Sequence, residues 1–213
     1  ASDIVAKELR DCGLVASFAS EEIPEVVAAT ALAPFMVAFD PLDGSSLADT
    51  NMSVGSIFGI YPAGDVIGNN GDRQCAACIA VYGPRTTIIL SVGKGTHEFV
   101  LRPDGQFYLN RENLCITADA NYFAPGNLRA CSDRKDYLAA VESWIVEGKT
   151  LRYSGGMVPD INHMLIKGSG IFAYPGCKKA PKGKLRLLFE CAPIAYLIEQ
   201  AGGAATDGTR RIL

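Results

Sequence analysis

The sequence predicts a mixed α/β protein in two halves, from three kinds of pattern. Short apolar runs such as Phe35–Phe39 and Thr86–Val92 have the length and alternation of strands and are bounded by Pro, Gly and Asp. Apolar residues at helical spacing recur at the start of the chain, over 133–147 and after Pro193, where helices are expected. The turn Arg102-Pro103-Asp104-Gly105, flanked by alternating residues, marks a hairpin that closes a first half near residue 113. Residues 1–113 then form an N-terminal α+β half and 114–213 a C-terminal α/β half.

The first half begins with Ile4, Val5, Leu9 and Cys12 on one face of a helix over 3–12, ended near Gly13. Leu14–Phe18 is a short strand that delivers Ser20-Glu21-Glu22 before Pro24 breaks the chain, and residues 25–34 carry no pattern. Phe35–Phe39 is a buried strand running into Asp40. Ser53–Tyr61 alternates as a further strand, closed by Pro62 and Gly64-Asp65. Residues 74–80 read as a helix. On it Cys75 and Cys78 would be neighbours on one apolar face, buried thiols despite their redox spacing, since nothing nearby lowers a thiol pKa. Thr86–Val92, His97–Leu101 and Gln106–Leu109 complete this half as strands.

The second half opens with a polar loop over 124–129. A helix over 133–147 follows, its apolar face made by Tyr137, Leu138, Val141, Trp144 and Ile145 and its end by Gly148. The loop 151–160 holds Gly155 and Gly156, which either let backbone approach a ligand or merely turn. His163, on a helix over 160–167, has no second His or Cys at ligand spacing and is expected to be structural or exposed. After a strand at 171–174, a basic stretch leads into a strand over 185–189 that ends in Glu190. Pro193 then starts a helix with Ile194, Leu197, Ile198 and Ala201 on one face.

Composition narrows the function. At 213 residues and 48% apolar the chain can bury a sizeable core, and its net charge of −3 gives no electrostatic case for a nucleic-acid or membrane partner. The longest apolar runs fall short of a membrane span, no signal peptide opens the chain, and the seven cysteines, an odd number, fit reduced thiols. An intracellular protein is expected. Both ends read as cut, since Ala1 enters a helical pattern directly and an apolar run is only beginning at Ile212.

The chemistry concentrates in Val37-Ala38-Phe39-Asp40-Pro41-Leu42-Asp43-Gly44-Ser45-Ser46. A strand ends in two carboxylates three residues apart, with Pro41 fixing φ between them so that both can share one cavity. Two anions that close call for a cation. Gly44, Ser45 and Ser46 follow where a helix would start, with free N–H groups suited to an oxyanion. Taken alone, the stretch is either a hard-metal site beside a phosphate or an Asp-Pro-x-Asp-Gly turn capping a surface helix. Glu21 and Glu190, each at a predicted strand end, could converge on the same cavity, as ligand groups do in α/β folds.

Asp40-Pro41-Leu42-Asp43-Gly44-Ser45-Ser46, Ser20-Glu21-Glu22, Tyr82-Gly83-Pro84-Arg85-Thr86-Thr87 and Leu185-Arg186-Leu187-Leu188-Phe189-Glu190-Cys191-Ala192-Pro193 together resemble the fructose-1,6-bisphosphatase and sedoheptulose-1,7-bisphosphatase family, part of the wider inositol-phosphatase superfamily. The resemblance spans nearly the whole chain. Within it, the stretches Phe123–Ala130 and Gly155–Asn162 are similar to the sedoheptulose members, where a fructose enzyme would show Asn-Glu-Gly and Gly-Ser-Met.

The resemblance implies a layered α-β-α-β-α sandwich and hydrolysis of the 1-phosphate of a ketose bisphosphate, sedoheptulose 1,7-bisphosphate first and fructose 1,6-bisphosphate as the alternative. It implies Mg²⁺, or Mn²⁺, held by Glu21, Asp40, Asp43, Glu190 and the Leu42 carbonyl, an all-oxygen set that argues against zinc. Glu22, with Glu21 and Asp43, would serve the attacking water. Gly44, Ser45 and Ser46 would hold the transferred phosphate, and Asn127, Arg152, Tyr153, Tyr174 and Lys184 the distal one. Gly156, Met157 and Arg186 would shape the sugar pocket. The position of Arg152 implies a homodimer, or a tetramer, in which it reaches a neighbouring site. A cytoplasmic location follows, with the plastid stroma as the alternative. A reading of another class is an inactive sugar-phosphate-binding regulator, against which the four retained, mutually repelling carboxylates speak.

Overall fold

The strand expected at 35–39 is the spine of an eight-stranded sheet. The structure is a computed structural model describing residues 1–65, 68 and 70–213. Strands β1 (Val15–Ser20), β2 (Ile23–Ala28), β3 (Phe35–Asp43), β4 (Val54–Pro62), β5 (Ala76–Tyr82), β6 (Thr86–Ser91), β7 (His97–Leu101) and β8 (Phe107–Arg111) lie in the order β2-β1-β3-β4-β5-β6-β7-β8. All neighbours are antiparallel except β1 and β3, which are parallel. A second, parallel sheet of three strands, β9 (Tyr122–Pro125), β10 (Thr150–Leu151) and β11 (Ile171–Ala173), has the order β10-β9-β11.

Five helices are described: α1 (Ser2–Asp11), the single turn α2 (Ser45–Ala48), α3 (Lys135–Val146), α4 (Met157–Lys167) and α5 (Ala192–Gln200). Alternation along the strands of the large sheet sends side chains to opposite faces. On one face Phe18, Val37 and Phe39 pack with Val5, Ala6 and Leu9 of α1. On the other, Ile57, Ile79 and Ile89 pack with Val158, Ile161 and Leu165 of α4 and with Ile194 and Leu197 of α5. Ala124 of β9 and Phe172 of β11 join that cluster from the small sheet, whose far side meets Tyr137, Val141 and Trp144 of α3. The layers therefore run α1, large sheet, α4 with α5, small sheet, α3, the expected α-β-α-β-α sandwich. One continuous core links residues from both halves of the chain. Among the described residues, no helix is long and apolar enough to cross a membrane.

Several elements differ from the expectation. Residues 74–80 are not helical: Ala76–Tyr82 is a central strand, with Ala77, Ile79 and Val81 turned towards α4 and α5. Small apolar residues on both faces of a central strand hide its alternation. Cys75 and Cys78 are both half-buried, and burial pushes the Cys78 thiol up to about 12. Pro24 does not break the chain; it lies in β2, an edge strand where its missing N–H costs no ladder bond. Part of the stretch read as a polar loop, 124–129, belongs to β9, the central strand of the small sheet. The predicted strand 185–189 is absent: Leu187–Cys191 forms a π-helical turn that runs into α5. Its Leu188 and Phe189 fill the space against Met36, Ala38 and Tyr61. Helix α4 starts at Met157, before Asp160, with Pro159 tolerated in its first turn. On α3, Leu138 and Ile145 are exposed, leaving Tyr137 and Val141 as the buried face. His163 packs edge-on against Tyr122 at 4.8 Å between ring centroids.

One glycine sets the distance between the large sheet and α4. A Cβ at Gly55 would lie 2.4 Å from the Ala80 carbonyl oxygen and 2.4 Å from Val158 Cγ1. Neither backbone nor the buried Val158 can yield cheaply. Gly55→Ala is expected to destabilise the protein by about 2–3 kcal/mol, read from the midpoint of urea unfolding. An unchanged midpoint would show that α4 is free to move.

Candidate active site

Strand parity alone would separate the two aspartates of the motif. Asp40 continues the face of Met36 and Ala38, and a regular strand would put Asp43, an odd number of residues on, on the opposite face with Val37 and Phe39. A bulge corrects this. Asp40 pairs with Ile57 and Asp43 with Gly55, so Pro41 and Leu42 together oppose the single residue Ser56. Asp43 thereby swings to Asp40's side. Leu42 N–H donates to Asp40 Oδ1 at 2.9 Å and closes the turn locally.

The other acids arrive from distant segments. Glu190 comes from the π-helical turn, packed under β3, and its Oε2 accepts the Arg186 N–H. Asp40, Asp43 and Glu190 are all buried, and one carboxylate oxygen from each lies within 4.8 Å of the others. Glu21 follows β1, where its N–H donates to the Phe39 carbonyl at 3.0 Å and so places it beside Asp40. Its carboxylate pairs with the Arg186 guanidinium and stands outside the three-acid group. Glu22 is exposed and accepts a hydrogen bond from Ser2 Oγ.

Asp43 is held from across the molecule. Its Oδ2 accepts the Val158 N–H at 2.7 Å, at the N-terminus of α4. There the helix dipole and unpaired N–H groups favour a carboxylate. Asp160, two residues further on, accepts the Ser154 N–H at 2.8 Å and fastens the Ser154–Gly156 loop to the same helix end.

A cavity of about 420 Å³ opens beside the acids. Its floor is Asp43, Glu190 and the start of α2, Gly44-Ser45-Ser46; its walls include Tyr153, Gly156, Met157, Tyr174, Lys184 and Arg186. Gly44, at φ +76°, takes a left-handed conformation that lets the chain turn from β3 into α2. Leu47 of α2 packs its methyls against both Gly44 and Gly156, so the two lining loops touch. Most of the residues singled out from sequence are thus brought together. Arg152 and Asn127 are not: Arg152 is exposed and donates to the Leu151 carbonyl at 2.9 Å, and Asn127 donates from Nδ2 to the Pro175 carbonyl at 2.7 Å. Sequence reasoning missed Phe172 and Leu185 as wall residues. Phe172 stands two residues before Tyr174 in an extended segment, a same-face relation that could have pointed to it.

Electrostatics mark the three-acid group as incomplete. Burial pushes Asp40 up to about 7, only partly offset by the Leu42 N–H, and the charges of Glu21, Asp43 and Glu190 push the same way. Glu190 is raised to about 7, again chiefly by burial and then by Asp43 and Glu21, against the Arg186 N–H. Asp43 is raised by burial despite the N–H groups of Val158 and Met157. Among the described residues, no Lys, Arg or His forms an ion pair with any of the three. Arg186, paired with Glu21, acts on Glu190 only from a distance, so the converging, oxygen-only donors fit a hard divalent ion.

The sign of the pH effect follows from these directions. Between the ordinary carboxylate pKa near 4 and about 7, the folded, metal-free chain holds protons that the unfolded chain has already released. Stability of the chelated protein should therefore fall as pH rises from 5 to 8. Added Mg²⁺ should restore it at pH 8 and do little at pH 5, which melting temperatures with and without chelator would read. A chelated protein equally stable at both pH values would contradict the buried, unpaired acids.

Comparison with known proteins adds to this geometry. The family description "Fructose-1-6-bisphosphatase, N-terminal domain" matches residues 1–112, and "Fructose-1-6-bisphosphatase, C-terminal domain" matches 116–213. The chain is 48% identical to a fructose-1,6-bisphosphatase class 1 of Geobacter sulfurreducens, over 99% of this chain and 67% of that protein. It is also 48% identical to the chloroplastic sedoheptulose-1,7-bisphosphatase of Spinacia oleracea, over 91% of this chain and 51% of the relative. The chain thus spans about half to two thirds of the length of these relatives. Among solved structures, a putative sedoheptulose-1,7-bisphosphatase from Toxoplasma gondii superposes with a TM-score of 0.94 at 33% identity, covering 100% of this chain and 71% of that one. The apo fructose-1,6-bisphosphatase of Leishmania major gives 0.89 at 33% identity, covering 100% and 74%. With both domain descriptions matched in order, and with an acid-floored cavity between their segments, the chain belongs to the fructose-1,6-bisphosphatase family.

Proposed function

We propose that this site hydrolyses the 1-phosphate of a ketose bisphosphate, with fructose 1,6-bisphosphate as the first substrate. The observation that carries the reading is the convergence of Asp40, Asp43 and Glu190 beside a 420 Å³ cavity that Asp43 and Glu190 line together with Lys184 and Arg186. Acids and cations lining one cavity suit a substrate that carries two phosphates. The volume falls in the range of small-molecule sites.

Asp40, Asp43 and Glu190, with Glu21 and the Leu42 carbonyl alongside, would hold Mg²⁺ or Mn²⁺. A bound divalent ion supplies charge neutralisation at phosphorus, a water of lowered pKa and support for the leaving oxygen in an in-line displacement. Gly44, Ser45 and Ser46 offer hydroxyls and first-turn N–H groups to the transferred phosphate. Water adds to phosphorus, the bond from phosphorus to the C1 oxygen breaks, and that oxygen takes up a proton. Glu22 would lie near the attacking water only once its side chain leaves Ser2 Oγ. Tyr153, Tyr174 and Lys184 would hold the distal phosphate, with Arg186 against the sugar. Arg152, exposed and outside the cavity, would reach the site of a second copy of the chain in a homodimer.

Two observations bear on the sugar. Relatives named as fructose bisphosphatases match nearly the whole chain, which favours fructose. Sedoheptulose 1,7-bisphosphate remains the second reading because Gly155, Gly156 and Met157 line the cavity and the spinach relative is equally similar. Asn127, in the other stretch similar to the sedoheptulose members, is turned to the Pro175 carbonyl.

Phosphate release by the full-length protein with Mg²⁺, on fructose bisphosphate, sedoheptulose bisphosphate and an inositol phosphate, tests this reading. Turnover should be greatest on a ketose bisphosphate and vanish with chelator. Preferred turnover of inositol phosphate would overturn it, and sugar-phosphate binding without turnover would support an inactive regulator. Glu190→Gln should lower kcat by more than about a hundredfold with the far-ultraviolet dichroism unchanged.

A further inference from the structure

We propose that Ser56, backed by Tyr82, is a positioning residue for the cation site, because it holds open the bulge that turns Asp43 onto Asp40's face. The proposal rests on the reading of the three acids as metal ligands and concerns a residue that touches neither metal nor substrate.

The bulge must satisfy its own polar groups. Pro41 and Leu42 oppose Ser56 alone, so they lack regular ladder partners. Pro41 has no N–H, which leaves one N–H and two carbonyls to place. The Leu42 N–H goes to Asp40 Oδ1 at 2.9 Å. The carbonyl of the buried Pro41 accepts from Ser56 Oγ at 2.8 Å, and Ser56 is only 2% exposed. The last group, the Leu42 carbonyl, is the one assigned to the cation.

Ser56 is itself oriented. Its oxygen lies 2.9 Å from the Tyr82 hydroxyl. A serine hydroxyl carries one proton, and here it is spent on Pro41, so Tyr82 is the donor to Ser56. The result is a directed chain from the Tyr82 hydroxyl through Ser56 to the Pro41 carbonyl, each bond polarising the next. Tyr82 ends β5 at the rim of the sheet, whereas Ser56 is inside it. Without Ser56 Oγ, a buried carbonyl loses its partner, and the bulge can relax towards regular pairing. That relaxation would rotate Asp43 away from Asp40 and Glu190. Precision of ligand placement, more than fold stability, is what the pair supplies.

Calorimetric titration of Mn²⁺ into metal-free, full-length protein tests this without reference to turnover. Wild type, Ser56→Ala, Tyr82→Phe and the double variant would be compared, with melting temperatures alongside. Ser56→Ala should weaken Mn²⁺ binding by about tenfold or more, and Tyr82→Phe by a smaller factor of about threefold. The double variant should bind no more weakly than Ser56→Ala, since Tyr82 acts only through Ser56. Unchanged affinity in Ser56→Ala with a lowered melting temperature would overturn the proposal, leaving Ser56 a stabilising residue. Strictly additive effects would also overturn it. If Ser56→Ala does not fold, Tyr82→Phe, altered at an exposed rim position, carries the test, and wild-type affinity in it would be decisive against the chain of bonds. A wild type that binds no Mn²⁺ would instead remove the metal reading itself.

Discussion

The hydrogen bond from the Val158 N–H to Asp43 Oδ2, 2.7 Å long and spanning 115 residues of sequence, ties the large sheet to the central helix layer at the floor of the cavity. It gives one carboxylate two tasks. Asp43 satisfies an orphan donor at the start of α4, as a capping side chain would, and also faces Asp40 and Glu190. The approach this requires is close enough to exclude any side chain at Gly55. The Gly156–Met157 segment that lines the cavity is thus positioned by the same contact that packs Val158 into the core. Substrate wall, metal floor and hydrophobic core are consequences of one docking of helix on strand.

That docking concentrates negative charge where water is scarce. Burial and mutual repulsion push Asp40 and Glu190 up to about 7, and backbone N–H groups, with the Arg186 charge at Glu190, only partly work against them. A chain selected for stability alone would replace such acids with apolar residues of similar volume. Their retention supports a site that is completed by a cation. Arg186 occupies a telling place in this balance. Its N–H serves Glu190 while its guanidinium serves Glu21, so one residue tethers an acid of the three-carboxylate group and its flanking acid from the cavity wall.

Elements with strong one-sided patterns were legible in the sequence. Helices α1 and α5, strand β6 and the β7–β8 hairpin each carry an amphipathic stripe, a Pro or a turn whose meaning is local. Strand β5 was misread because Ala76, Ala77 and Ala80 satisfy helical and extended periods equally, and only its place between β4 and β6 selects the extended form. The Leu187-Leu188-Phe189 run has the composition of a strand. It coils because its side chains fill a gap beneath Met36 and Ala38 while Glu190 turns back to the Arg186 N–H. The site was legible as a set of residues more than as an arrangement.

The sequence by itself determined the chemistry on offer: acids at Asp40, Asp43 and Glu190, small hydroxylated residues after Gly44, and cations at Lys184 and Arg186. It also determined the local turn, since Pro41 lacks an N–H and Asp40 can take the one from Leu42. Tertiary structure decided where these groups point. The bulge against Ser56 reversed the side of the sheet on which Asp43 emerges, and the π-helical turn delivered Glu190 to it. Contacts between loops turned Asn127 to Pro175 and away from the cavity. The division has a physical cause. Backbone sterics and side-chain capping act over a few residues, whereas convergence of like charges is imposed by the packing of segments more than a hundred residues apart, which no local preference encodes.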